Sequence, residues 1–215
     1  MVHVKICGIT RHEDLKVAVD AGADLIGFII GVTSSQRNLS LAKAKELILK
    51  IHKDVRSVAV TVFKTKEEII KICDELETDY LQIHGNFQSI LKSFPETLSK
   101  ERIIGVVSGR NPDASELAVK VSDILHTILL DSTTNEGLGG TGMTHDWNLS
   151  RTIRDTIYPN RLILAGGLTP ENVEDAIEKV RPYGVDVSTG VEKKPGIKDH
   201  KKIFDFITKV KEMEI

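Results

Sequence analysis

The stretch LILAGGLTPENVEDAIEKVRPYGVDVSTG, residues 162–190, decides the fold. It begins with the apolar run 162–164 and ends with a second one, 185–187, and each run leads into glycine. Between them Thr169 and Pro170 are typical of a helix start. The residues that follow are apolar at helical spacing and would form one face of a helix: Val173, Ala176, Ile177 and Val180. A strand, a helix and a further strand in this order predict a parallel βαβ unit.

The same alternation of short apolar runs and helical patterns extends along the whole chain. The runs are rich in Val, Ile and Leu and mostly lack polar alternation, which is typical of strands buried on both faces. They occupy residues 3–6, 25–30, 57–62, 80–83, 103–107, 127–130, 162–164 and 185–187. Eight such strands predict an α/β fold, a compact (β/α)8 barrel formed by residues 1–215 as one domain. A doubly wound open sheet is the alternative, because periodicity does not show closure.

Several helix boundaries are also readable. Thr10 with Glu13, and Thr65 with Glu68, match the capping box, in which a hydroxyl and a glutamate three residues later satisfy the first helical N–H groups. Gly22 is a plausible stop for the first helix. The second capping box precedes an apolar stripe at i, i+3, i+4 and i+7, formed by Ile69, Ile72, Cys73 and Leu76.

Composition and charge restrict the class of partner. The net charge is −2, from 29 basic and 31 acidic residues without a block of like charge, so we expect neither nucleic acid nor a membrane surface as partner. The start lacks the pattern of a signal peptide, and no apolar run approaches the ~20 residues of a membrane span. The two cysteines form neither a disulfide framework nor a metal knuckle. We therefore expect a cytoplasmic protein, either a monomer or a homodimer.

In barrels of this kind the active site lies at the carboxyl ends of the strands. Cys7 ends the first strand and precedes a glycine, where a thiolate can act as a base or a nucleophile. Asp131 ends the sixth, where partial burial would raise its pKa and let it donate a proton. The alternatives are a packed thiol and a structural carboxylate. For Cys73, within its helical stripe, we favour the packed thiol.

The loops after the last two strands suit a phosphate. Glycine allows backbone N–H groups to approach an anion closely, and barrel enzymes commonly use these two loops for phosphate. The candidate residues are Gly166, Gly167, Ser188, Thr189 and Gly190. Tight turns without a ligand are the alternative explanation of these glycines.

Two further polar side chains are candidates for substrate binding. Arg37, in the second loop, can bind a carboxylate or phosphate through its planar guanidinium. His84 ends the fourth strand, and a structural hydrogen-bonding role is favoured for it over acid–base chemistry. The histidines show no ligand spacing, so we expect no metal, and the sequence implies no cofactor.

At these residues the sequence resembles the phosphoribosylanthranilate isomerases of tryptophan biosynthesis. The matching segments follow the family's order and are KICGIT (5–10), GADLIGF (22–28), LQIHG (81–85), LLDS (129–132), GGTG (139–142), AGGLTPENV (165–173) and VDVSTGVE (185–192). The resemblance implies a (β/α)8 barrel and a cofactor-free Amadori rearrangement of a phosphorylated small molecule, N-(5-phosphoribosyl)anthranilate. It places Cys7 as general base, Asp131 as general acid and Arg37 near the anthranilate carboxylate.

Two other functions compete with this interpretation. Another phosphosugar barrel, such as an epimerase or a histidine-pathway isomerase, would share the phosphate loops. A metal-dependent epimerase would need histidine and aspartate ligands on several strand ends, which the sequence lacks. A non-catalytic phosphosugar-binding barrel would bind without turnover and would tolerate Cys7→Ser.

Overall fold

The computed structural model describes residues 1–62, 64–85, 99–132 and 146–213. Its main feature is a set of eight parallel strands that pair in sequence order. These strands are β1 (His3–Cys7), β2 (Leu25–Ile30), β3 (Arg56–Val62), β4 (Tyr80–His84), β5 (Ile103–Ser108), β6 (Thr127–Asp131), β7 (Arg161–Leu164) and β8 (Gly184–Val187). Every predicted strand is therefore found, and none is more than one residue longer at either end.

The sheet closes on itself. β1 pairs with β2 on one side, with Lys5 opposite Leu25, and with β8 on the other, with Lys5 opposite Asp186. The predicted (β/α)8 barrel is confirmed, and the open-sheet alternative is wrong. The first strand thus has two long-range neighbours, and both bear on the site described below.

Seven α-helices lie within the described residues. They are α1 (His12–Asp20), α2 (Leu41–Ile48), α3 (Lys66–Leu76), α4 (Ala114–Ser122), α5 (Trp147–Ile157), α6 (Val173–Val180) and α7 (His200–Glu212). The predicted apolar face of α6 is buried as expected. Gly22 follows the end of α1 with a φ of 97°, as its role as a stop predicts. On α3, Cys73 packs half-buried against the core beside three buried residues of the stripe.

The two predicted capping boxes had different outcomes. Thr65 is the N-cap of α3, and its hydroxyl accepts a hydrogen bond from the Glu68 N–H. The prediction for Thr10 was wrong, because its hydroxyl donates to the Gly196 carbonyl and α1 begins after Arg11. The start predicted at Thr169 also lies three residues early, because Asn172 is the N-cap of α6.

The buried apolar residues form two layers, which explains the unbroken apolar runs. One layer fills the space between strands and helices, as in β1, where Val4 and Ile6 are fully buried against it. A smaller layer fills the barrel interior and includes Cys7, Leu25 and Leu129. Alternate residues of a strand point to opposite faces, so each strand contributes to both layers. Along β1 the inward positions are residues 3, 5 and 7.

Among the helices of the described residues, none has the length and apolar character that crossing a membrane would require.

Candidate active site

A cavity opens at the carboxyl ends of the strands. Its empty volume, which includes the solvent at its open mouth, is about 1020 Å³. The cavity brings together all nine residues that the sequence singled out as site candidates. These lining residues are Cys7, Arg37, His84, Asp131, Gly166, Gly167, Ser188, Thr189 and Gly190. Apolar side chains such as Ile29, Val60 and Leu168 form part of its wall. A polar set within an apolar cavity is the usual composition of a small-molecule site.

Cys7, the last residue of β1, is buried at the floor of this cavity. Gly27 on the neighbouring strand makes the space for its side chain, because a Cβ at that position would lie 2.8 Å from the Cys7 Sγ and 3.1 Å from the Lys5 Nζ. Burial raises the pKa of the Cys7 thiol, whereas the positive charges of Lys5 and Lys198 oppose that rise. The thiol therefore lies in a site where desolvation and nearby cations act in opposite directions.

Lys5 and Asp186 form a buried ion pair below the thiol. The Lys5 Nζ donates a hydrogen bond to the Asp186 Oδ1 at 2.9 Å, and both side chains lie almost entirely out of solvent. Burial lowers the pKa of Lys5, but the negative charges of Asp186 and Cys7 outweigh it and the pKa ends above its ordinary value. Lys5 is therefore an ammonium ion inside the barrel.

Asp131 ends β6 on the far side of the mouth, partly buried and opposite Ser108 of β5. Its backbone carbonyl accepts a hydrogen bond from Gly109 N–H at 2.7 Å, which fixes the strand end. The GGTG segment at 139–142, and Met143 to His145 after it, lie outside the described residues.

Two residues of the glycine loops after β7 and β8, Gly166 and Gly190, have no space for a side chain. Gly166 and Gly167 have φ values of 84° and 68°, a region that favours glycine. A Cβ at Gly166 would overlap Ser132, and one at Gly190 would overlap the Leu168 carbonyl oxygen. At Gly190 and Leu168 the two loops therefore approach each other closely through their backbones.

Arg37, in the loop after β2, contacts the segment after β8 and is already paired. Its Nε and Nη2 donate to the two carboxylate oxygens of Glu192 at 2.8 and 2.6 Å, and Nη2 also reaches the Thr189 hydroxyl at 3.2 Å. The Lys198 Nζ donates to the same carboxylate at 3.1 Å and to the Ser188 carbonyl at 3.0 Å. Within the described residues the Nη1 of Arg37 makes no hydrogen bond, so this nitrogen remains for a ligand.

His84 lines the cavity as a neutral ring. Burial, aided by the charge of Lys5, lowers its pKa to about 4. A hydrogen bond of 3.2 Å joins its Nε2 to the Nε2 of Gln82, two residues earlier on β4. A neutral imidazole can donate or accept a hydrogen bond from a ligand but supplies no positive charge at neutral pH.

Sequence reasoning missed four charged residues of this site: Lys5, Asp186, Glu192 and Lys198. Lys5 and Asp186 each interrupt an apolar run, and a charge within a buried strand needs a partner. That signal was available in the sequence. Glu192 and Lys198 gave no such signal, because they lie outside the predicted strands. No group of three or more His, Cys, Asp or Glu side chains suited to a metal occurs in the described ranges.

Comparison with known proteins gives one consistent result. The family model described as N-(5'phosphoribosyl)anthranilate (PRA) isomerase matches residues 4–209. An N-(5'-phosphoribosyl)anthranilate isomerase of Methanothrix thermoacetophila is 41% identical, over 98% of this chain and 99% of its own. The crystal structure of phosphoribosyl anthranilate isomerase from Thermotoga maritima has a TM-score of 0.85 at 36% identity, covering 99% of this chain and 100% of its own.

A further solved structure contains a ligand. It is phosphoribosyl anthranilate isomerase in complex with reduced 1-(o-carboxyphenylamino)-1-deoxyribulose 5-phosphate. Its TM-score is 0.82 at 35% identity, over 99% of this chain and 100% of that one.

Proposed function

Because the chain belongs to the N-(5'-phosphoribosyl)anthranilate isomerase family, we propose that Cys7 is the general base and Asp131 the general acid of its reaction. The protein is an isomerase of tryptophan biosynthesis. It converts N-(5-phosphoribosyl)anthranilate into 1-(2-carboxyphenylamino)-1-deoxyribulose 5-phosphate. Substrate and product are isomers, so the reaction needs proton transfers and no external oxidant or reductant.

The proposed reaction has two enzyme-assisted proton transfers. Asp131 donates its proton to the furanose ring oxygen as the bond between that oxygen and C1′ breaks, and the nitrogen lone pair forms an iminium. The Cys7 thiolate then removes the C2′ proton, and the C–H electron pair forms the C1′–C2′ double bond while the iminium becomes an amine. The enolamine tautomerises to the ketone: C1′ gains a proton and the C2′ hydroxyl loses one. Holding both groups beside one bound sugar makes each transfer effectively intramolecular.

The observation that supports this assignment best is that one cavity is lined by Cys7, by Asp131 and by both glycine loops. The two titratable groups end strands β1 and β6 and so lie on different sides of the same mouth. The ring oxygen and C2′ flank C1′, so an acid and a base on different sides of the mouth can both act on one bound sugar. The apolar wall, with Ile29, Val60 and Leu168, suits the anthranilate ring.

The two anionic groups of the substrate have separate candidate sites. We propose that Gly166, Gly167, Ser188, Thr189 and Gly190 bind the phosphate, as their close backbone contacts favour. We propose that Arg37 binds the anthranilate carboxylate, because Glu192 holds its guanidinium while Nη1 makes no hydrogen bond within the described residues. The relative with the reduced product analogue bound has a ligand with both of these groups. His84, as a neutral ring, would contact the substrate only through hydrogen bonds.

The activity is tested by following the loss of phosphoribosylanthranilate fluorescence on adding the purified protein. We expect turnover without added metal or cofactor, and the same rate after treatment with a chelator. A folded protein that binds the product analogue without turnover would indicate the non-catalytic barrel. Turnover that the chelator abolishes would indicate a metal-dependent phosphosugar enzyme.

The phosphate assignment predicts that Gly190→Ala weakens substrate binding. The added Cβ would overlap the Leu168 carbonyl and push the two loops apart. Losing charge-assisted hydrogen bonds of about 1.5–3 kcal/mol would raise KM at least about 10-fold. Overpacking would also lower the free energy of unfolding by ~1–3 kcal/mol. Steady-state kinetics and urea unfolding measure the two effects.

Gly22→Ala is the matched control for this variant. Gly22 has a φ of 97° and lies between α1 and β2, at the opposite end of the barrel. A Cβ there meets only the Ile207 Cγ2, at 4.0 Å. Backbone strain should cost ~1–2 kcal/mol of stability while KM stays at the wild-type value. An unchanged KM for a folded Gly190→Ala variant would contradict the phosphate assignment.

A further inference from the structure

The charged residues around Cys7 form a buried cluster that the reaction scheme does not use. Lys5 lies on the same strand, Asp186 on β8, Arg37 in the loop after β2, and Glu192 and Lys198 in the segment after β8. The charges of Lys5, Asp186 and Lys198 affect the pKa of Cys7. The charge of Cys7 in turn raises the pKa of Arg37. Four segments of the chain therefore converge on the thiol.

The cluster is one negative charge short of neutral. It contains three cations, Lys5, Arg37 and Lys198, and two carboxylates, Asp186 and Glu192. His84 is neutral at physiological pH and adds no charge. Asp131 is protonated in the proposed scheme when it begins the reaction. A thiolate at Cys7 would supply the missing negative charge, and uncompensated charge is costly in a site shielded from water.

Among the three cations of the cluster, Lys5 has the largest effect on the pKa of the Cys7 thiol. A Cβ on Gly27 would lie 3.1 Å from the Lys5 Nζ and 2.8 Å from the Cys7 Sγ, so both atoms border the same small space. Asp186 holds this ammonium from the other side at 2.9 Å. Arg37 and Lys198 both donate hydrogen bonds to a different carboxylate, that of Glu192.

We propose that Lys5 is a positioning residue whose ammonium group, fixed by Asp186, stabilises Cys7 as the thiolate that serves as the base. The proposal rests on the function assigned to Cys7 above and extends it to the groups that make a buried thiol acidic enough to ionise. Burial alone disfavours a thiolate, and an opposite charge at this range typically offsets such an effect by one to three pKa units. Lys5 thus acts on catalysis through Cys7 and is not among the residues that line the cavity.

The test is the pH dependence of Cys7 alkylation by iodoacetamide, which reacts with the thiolate. Lys5→Met removes the charge and keeps a chain of similar length. We expect the alkylation midpoint of Cys7 to move up by at least about one pH unit, so that its rate at neutral pH falls ~10-fold or more. The acid limb of kcat/KM should move up by the same amount.

Cys73 is an internal control in the same samples. It lies half-buried on α3, where its pKa responds to burial and to Arg102 and not to Lys5. Peptide mass spectrometry resolves the two thiols, and the Cys73 profile should not move. A general loosening of the fold would instead accelerate both reactions. If Lys5→Met leaves an unpaired Asp186 and does not fold, Lys5→Met/Asp186→Asn removes both charges, and the Cys7 midpoint should still rise.

The outcomes separate this inference from the function on which it rests. An unchanged Cys7 midpoint in a folded Lys5 variant overturns the role of Lys5, whatever Cys7 does in turnover. A raised midpoint together with full activity of the same variant at neutral pH also overturns it, because the thiolate would then not limit the reaction. Full activity of Cys7→Ser would instead remove the base itself.

Discussion

Cys7→Ser is expected to lower kcat by at least about 100-fold, the low end of what a general base contributes. Serine has nearly the same size, so the packing of the buried floor against Gly27 is kept. Its hydroxyl ionises far above the pH at which a thiol does, and no cation in the cluster can make up that difference. The substrate should still bind, so KM should change much less than kcat. Fluorescence-based steady-state kinetics measure both.

Cys73→Ser is the matched control for that variant. Cys73 packs against the core from α3, away from the cavity, so the substitution should leave kcat within about twofold of wild type. Circular dichroism and urea unfolding should show that both variants fold. A folded Cys7→Ser variant with wild-type kcat would mean that another group removes the C2′ proton.

The barrel was predictable because each strand is buried on two faces. Both layers of the interior need apolar residues, so the strands appear as unbroken runs with glycine or polar residues at their ends. The carboxyl ends of parallel strands meet at one mouth, and this made Cys7 and Asp131 candidates for one site although they lie 124 positions apart in the chain. Closure itself needed the structure, because only the pairing of β1 with β8 shows it.

Helix starts were predictable only where local contacts decide them. Thr10 and Thr65 have the same spacing to a glutamate, yet only Thr65 caps its helix. The Thr10 hydroxyl is bound by Gly196, 186 positions along the chain, and that contact outweighs the local one. A capping motif cannot reveal such competition.

The charged residues around Cys7 and Arg37 were predictable only in part. Lys5 and Asp186 were visible in the sequence as charges within apolar strands, but their pairing depends on the β1–β8 register. Glu192 was not visible, because it reaches Arg37 across 155 positions. The position of Arg37 in the second loop therefore made it a candidate, whereas the structure explains how its guanidinium is held.

Asp131→Asn is expected to reduce kcat by at least about 100-fold for a different reason. The amide has the shape of the carboxyl group but has no acidic proton to give the ring oxygen, so ring opening is the step that slows. The backbone carbonyl that binds Gly109 is unaffected, and the end of β6 should keep its position. If Asp131 is the acid, the alkaline limb of the kcat pH profile should also disappear in this variant, whereas Cys7→Ser should change the acid limb.

Asp123→Asn is the matched control, because Asp123 is exposed after α4 and lies outside the cavity. It should retain wild-type kinetics. Asp131→Asn with normal kcat would transfer the acid role to another group, and a normal pH profile with a reduced kcat would show that Asp131 orients the substrate without donating a proton. Because acid and base act in successive steps on one bound sugar, the double variant with Cys7→Ser should lose far less than the product of the two single losses.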